Sequence, residues 1–70
     1  MTQCEKILSH LREQGEITPM DADALYGVKN LAARISDLRA QGHHISGERV
    51  IGKNRFMETV HYSVYRLQEN

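Results

Sequence analysis

The chain has one cysteine, one proline, one phenylalanine, no tryptophan and no net formal charge in its 70 residues. Each shortage excludes something. With Cys4 alone, no disulfide can close within the chain, so the staple that small secreted domains rely on is missing. Cys4 also falls on the apolar side of a helical pattern with Ile7, Leu8 and Leu11, where it reads as a small core residue rather than a reactive thiol. No apolar run comes near the roughly 20 residues that cross a bilayer. The opening Met1-Thr2-Gln3-Cys4-Glu5 has neither the basic start nor the apolar stretch of a secretory signal. A cytoplasmic protein without membrane contact is expected.

Chemistry is equally sparse. There is no glycine-rich phosphate loop, serine elbow or pair of catalytic carboxylates. The histidines His10, His43, His44 and His61 lack the ligand spacing of a zinc site, and adjacent His43 and His44 project their rings in different directions. No catalytic residue, metal or cofactor is expected, and the chain reads as a binding module rather than an enzyme.

What is present is order. Thr2-Gln3-Cys4-Glu5 has the form of a capping box, the apolar residues that follow recur at three- and four-residue intervals, and Gly15 ends the pattern, so a first helix is expected over about residues 3–14. Thr18-Pro19-Met20-Asp21 starts a second, short helix, with Asp21 and Asp23 as acids near its positive end and Ile17 positioned to pack on Ala22. Tyr26-Gly27-Val28 interrupts it. A third helix is expected from about Lys29 to Gln41, closed by Gly42, with Leu31, Ile35 and Leu38 on its inner face and Ala33, Asp37 and Ala40 opposite. Arg34 and Arg39 flank the apolar stripe.

After Gly42 the periodicity changes. Residues 45–51 and 56–67 are rich in β-branched and aromatic side chains, and Gly52-Lys53-Asn54-Arg55 between them is turn chemistry, which predicts a hairpin. Two registers suit it. A two-residue Lys53-Asn54 turn sets Ile45 opposite Tyr62 and Arg49 opposite Glu58, whereas a turn one residue longer brings Tyr65 and Leu67 to the core face. A bulge is compatible with either, since both faces carry apolar residues. Three helices followed by a β-hairpin, with a tight turn between the second and third helices, is the α+β order of a winged helix-turn-helix. The domain is expected to span residues 1–67, with 68–70 as a free end. A short strand at Glu16-Ile17 would add to the sheet.

Charge supplies the functional hint. Residues 1–27 hold two cations against five carboxylates, and residues 28–70 hold seven against four, so an acidic front half meets a basic back half. In a helix-turn-helix the second helix of the motif enters the major groove, and here that is the third helix. Lys29, Asn30, Ala33 and Arg34 lie outward or flanking near its start. Arginine can bond guanine twice, asparagine can pair with adenine, and alanine can touch a thymine methyl. Asp37 can accept from a cytosine amine or hold Arg34 on the helix. Arg39 sits near the helix C-terminus, where a structural role is favoured. Lys53, Asn54 and Arg55 form a basic hairpin tip able to meet the neighbouring backbone or enter a minor groove, although a solvated basic turn needs no ligand.

The stretch "ITPMDADALYGVKNLAARISDLRAQGHHI" resembles the short helix-turn-helix proteins common in bacteriophages and prophages. They share an "ITP.dA...yG...LAARI.DLR..GH.I" pattern and usually end in a "Y.L" strand. The matching residues are Ile17, Thr18, Pro19, Ala22, Tyr26, Gly27, Leu31, Ala32, Ala33, Arg34, Ile35, Asp37, Leu38, Arg39, Gly42, His43 and Ile45, then Tyr65 and Leu67. The resemblance implies a winged helix with double-stranded DNA as its partner, serving transcriptional regulation or recombination or replication. It departs from the pattern at Lys29-Asn30, where relatives often carry an arginine or another large residue. So small a footprint binds weakly alone, which makes a homodimer on a symmetric site the expected remedy. The alternative is a winged helix docking on a host or phage protein without DNA, which neutral net charge suits.

Overall fold

The structure, a computed structural model, describes residues 1–68. In chain order it forms α1 (Gln3–Gln14), β1 (Glu16–Ile17), α2 (Pro19–Tyr26), α3 (Leu31–Ala40), β2 (Ile45–Lys53) and β3 (Thr59–Leu67). This is the expected order, with the short β1 strand included.

The helix ends follow from local chemistry. Thr2 accepts from the Glu5 backbone N–H at 3.1 Å while the Thr2 N–H donates to Glu5 Oε1 at 3.1 Å, closing the capping box of α1. The Thr2 bonds hold the Glu5 carboxyl below its usual pKa. Thr18 and Asp21 repeat the arrangement at α2. Gly15 and Gly27 follow α1 and α2 in the left-handed region, with φ of 87° and 67°, and each donates its N–H four residues back, to Leu11 and Asp23. Glycine enters that region without the steric cost of a Cβ, so both helices stop where they do. Val28 then donates to Ala22 O at 3.0 Å and is buried, which fixes the sharp turn into α3.

Ile7, Leu11, Ile17, Ala22, Val28, Leu31, Ile35, Leu38 and Ile45 form one buried cluster to which every helix contributes. Burying one such aliphatic side chain is worth at most about 1.5–3 kcal/mol, so a core this thin depends on every member. Cys4, Leu8, Tyr26, Tyr65 and Leu67 pack around it partly buried. Tyr26 also meets His10 edge to face, with 5.6 Å between ring centroids and 2.7 Å between Nδ1 and the hydroxyl, tying α2 to α1.

The sheet is antiparallel with order β1-β3-β2. Its register corrects both expectations: Ile45 faces Leu67, Arg49 faces Ser63 and Lys53 faces Thr59. Arg49 therefore does not pair with Glu58, and Ile45 does not meet Tyr62. The connection is a five-residue loop, 54–58, rather than a two- or three-residue turn, and the ladder runs unbroken from Ile45 to Lys53, with no bulge. Tyr65 and Leu67 do reach the core. Gly52, expected in the turn, lies within β2, where a Cβ would come 3.3 Å from the Tyr62 ring.

On the outer face Arg66 joins all three strands, pairing with Glu48 of β2 and, at 3.5 Å, with Glu16 of β1. Those carboxylates, Glu48 first, raise the pKa of its guanidinium. Gln68 was expected at the start of a free end, but its N–H donates to His44 O at 2.7 Å and its side chain to Ser46 Oγ at 2.9 Å. Residues 69 and 70, the rest of that expected end, lie outside the described residues. No helix is long and apolar enough to cross a membrane among the described residues.

Candidate nucleic-acid interface

The third helix begins two residues later than expected, and this changes what its first polar residues do. Asn30 is the N-cap: its side-chain oxygen accepts from the Ala33 N–H at 3.2 Å. That bond satisfies one of the donors a helix start leaves open. Lys29 stands outside the helix and reaches Asp23 of α2 at 2.7 Å, with both side chains exposed.

Leu31, Ile35 and Leu38 are the buried face of α3. The exposed residues are Ala32, Ser36, Asp37, Arg39 and Ala40, while Ala33 and Arg34 are half-buried. The outward face is therefore made mostly of small uncharged side chains. Arg34 points toward the start of α1. Its Nη1 donates to Gln3 Oε1 at 3.3 Å, and its Nε lies 3.1 Å from Asp37 Oδ2. The Nε contact is an ion pair without a directed hydrogen bond. Asp37 also lies 3.9 Å from Cys4 Sγ. Of the two roles open to Asp37, holding Arg34 is the one it fills here. Ion pairs at this helical spacing are worth about 0.2–0.5 kcal/mol, so Arg34, although half-buried, can trade partners at small cost.

Arg39 has a different use. Its Nε and Nη2 both donate to Ile45 O, at 3.0 and 2.8 Å, and its guanidinium carbon lies 6.0 Å from the centroid of Tyr65. It joins the end of α3 to the base of the hairpin, the structural role favoured for it. Gly47 lies beneath this pair, where a Cβ would make ordinary contact with the Tyr65 ring at 3.4 Å and Arg39 Nη2 at 3.5 Å.

The hairpin tip is more ordered than a basic turn alone suggests. Asn54 Oδ1 accepts from the backbone N–H groups of Phe56 and Glu58, at 2.9 and 3.1 Å, and its Nδ2 donates to Glu58 Oε1 at 3.1 Å. The backbone adds Asn54 N–H to Glu58 O and Met57 N–H to Asn54 O. Asn54 is thus the organiser of the loop, its polar atoms committed to the turn. Lys53 makes one long contact, 3.5 Å to Thr59 Oγ1, and Arg55 is exposed without a partner among the described residues.

Across the described residues from 28 onward, Lys29, Arg34 and Arg66 are matched by carboxylates and Arg39 by a carbonyl. Arg49, Lys53 and Arg55 have no carboxylate partner among the described residues, and all three belong to β2 or the tip. Arg49 and Lys53 lie four residues apart on one strand and so share a face. Sequence reasoning missed Arg49, because the assumed register gave it to Glu58. It also missed Ser36, at the centre of the outward helix face, and the apolar tip residues Phe56 and Met57, which are 73% and 72% exposed. The signal for the tip was available: two large apolar residues adjoining turn chemistry.

The expected site therefore divides into two groups whose members, Arg55 excepted, bond to local partners among the described residues. Lys29, Asn30, Ala33, Arg34 and Asp37 bond within the helical part, to α1, α2 or α3 itself. Lys53 and Asn54 bond within the hairpin. A cleft of about 630 Å³ separates the start of α2 from the outer half of the hairpin, between Thr18–Asp21 on one side and Gly52, Val60 and Tyr62 on the other.

No curated protein and no solved structure matches the chain. A family model described as a winged helix-turn-helix domain, an architecture whose general use is DNA binding, matches residues 2–70. That match spans nearly the whole chain and agrees with the three helices and the antiparallel sheet described above, so the protein belongs to the winged helix-turn-helix domain family.

Proposed function

We propose that the protein binds double-stranded DNA as a small phage-type accessory in the cytoplasm, acting in transcriptional regulation or in recombination or replication. In this reading α3 enters the major groove, presenting Ala33, Arg34 and Asp37 with Lys29 and Asn30 at its start. The hairpin grips the flanking backbone through Lys53 and Arg55, with Arg49 added to the set and Asn54 shaping the loop. The observation that carries the reading is the gathering of carboxylate-free cations on the hairpin. A solvated protein with zero net charge has no need to leave three cations on one element uncompensated, whereas a phosphate backbone is the partner that rewards it.

A titration of the full chain with duplex DNA, followed by backbone chemical shifts, tests this. Shifts should concentrate at residues 29–37 and 49–56, and affinity should fall steeply as salt rises. Binding without salt dependence, or shifts confined to α1, refutes it. One observation favours a second reading, a module docking on a protein. The exposed face of α3, with Ala32, Ser36 and Ala40, is small and nearly uncharged, which suits a protein surface as well as a groove. Retention on heparin at low salt separates the two. Dimerisation on a symmetric site would raise affinity in the first reading, and sedimentation of the protein with and without duplex measures it.

A further inference from the structure

Phe56 and Met57 are exposed in the loop that ends the hairpin and lie outside the core cluster of the described residues. The backbone there is not relaxed: Met57 has φ of 62°, the one positive value outside glycine among the described residues. Asparagine or glycine would hold that conformation more cheaply. The loop is nevertheless tied at both ends by Asn54, which fixes Phe56 and Glu58 by their amides. A turn that is hydrogen-bonded into an unfavourable conformation, and that carries two large apolar side chains outward, has features seen at functional sites.

We propose that Phe56 and Met57 form a wedge that enters the minor groove of duplex DNA and partly unstacks a base step, bending the duplex. The inference rests on the DNA-binding reading above. Charge selects a polyanion over a second copy of this neutral chain, and the winged helix-turn-helix family favours duplex DNA over an anionic membrane. Lys53 and Arg55 precede the wedge without carboxylate partners among the described residues, and Glu58, which follows it, is held by Asn54 Nδ2. Arg55 adjoins the apolar pair and Lys53 stands three residues before Phe56, so the pair is led by two cations. Geometry agrees. A minor groove about 6 Å wide admits side chains but not a β-ribbon, so only the tip can enter. The flanking minor groove lies about half of a roughly 34 Å turn from the major groove that α3 would occupy, within the 38 Å length of the molecule. Inserted apolar side chains of this kind kink DNA by roughly 20–90°.

The test uses the full chain and mixed-sequence duplexes of about 30 base pairs containing flexible TA steps. End-to-end energy transfer reads the bend, and 2-aminopurine at the TA step reads unstacking. The wild-type protein should bend the duplex and brighten the probe. The double variant Phe56→Ala, Met57→Ala should lose both signals at saturation while the slope of log affinity against log salt stays unchanged, since no charge is removed. Met57→Gly, which relaxes the backbone and so keeps the fold while leaving Phe56, should reduce both signals in part. Binding of wild-type protein without a bend, or a bend that survives the double variant, overturns the wedge and leaves the DNA-binding reading standing. No binding of wild-type protein to any duplex overturns both. Loss of a dimer in sedimentation, or of binding to anionic vesicles, in the double variant with the bend intact assigns the pair to that other partner and also overturns the wedge.

Discussion

At the start of α3, Lys29 is held by Asp23, Asn30 is spent on the helix cap, and Arg34 rests between Gln3 and Asp37. On the hairpin, Arg49 and Arg55 have no partner among the described residues and Lys53 has only a long contact to a threonine. Both groups look alike as sequence, a few cations among small polar residues. They differ in what a ligand must displace. The helix group has to exchange protein partners for DNA, so its net gain is a difference between two interactions, whereas the hairpin group has only water and counterions to release. In the proposed DNA-binding reading, affinity therefore belongs mainly to the hairpin, and the helix is left to discriminate.

The strongest way to break this comparison is to neutralise the hairpin. Arg49→Ala, Lys53→Ala and Arg55→Ala together should lower the slope of log affinity against log salt by about 2.7, at about 0.9 per phosphate contact, and cost on the order of 100-fold in low-salt affinity. An unchanged slope in a fluorescence titration would place the electrostatic grip elsewhere. Next in size is the joint between the regions. Arg39→Ala removes two charge-assisted bonds to Ile45 O and should cost about 1–2 kcal/mol in urea unfolding, at the lower end for an exposed group. A value near zero would mean the hairpin base is seated by Tyr65 and Leu67 alone.

Asn30→Ala should cost about 1 kcal/mol by the same assay and Asn30→Asp much less, because aspartate keeps the cap. If Asn30→Ala leaves stability intact and abolishes binding, its amide belongs to the DNA rather than to the helix. The smallest effect is the most informative about Arg34. Asp37→Asn removes a carboxylate from the outward face and releases the guanidinium, so duplex affinity should rise a few-fold while stability falls by less than about 1 kcal/mol. A loss of affinity would instead assign Asp37 to a cytosine.

The helical part was legible because its boundaries are written in single residues with one dominant use. Thr2 with Glu5, Thr18 with Asp21, Gly15 and Gly27 each do locally what their spacing announces. The start of α3 slipped by two positions because Asn30, read as a base contact, serves as the cap. The hairpin register was not legible, for two reasons. Gly52 reads as a turn residue in the sequence, but it lies in β2 and gives way to the Tyr62 ring. The true loop places its left-handed residue at Met57, which no turn preference announces, and closes through the side chain of Asn54. With the register went the availability of Arg49, and with that the balance of the site between helix and hairpin.

The zero sum of charges hides a separation. Carboxylates are in surplus in residues 1–27, and among the described residues three cations without a carboxylate partner, Arg49, Lys53 and Arg55, lie together on the hairpin of a body 38 Å long. Such a body has an electric moment, and near a polyanion, within the roughly 8–10 Å over which salt leaves a field unscreened, it experiences a torque before any contact forms. The hairpin would touch down first, and α3 would be swung toward its groove about a point already anchored.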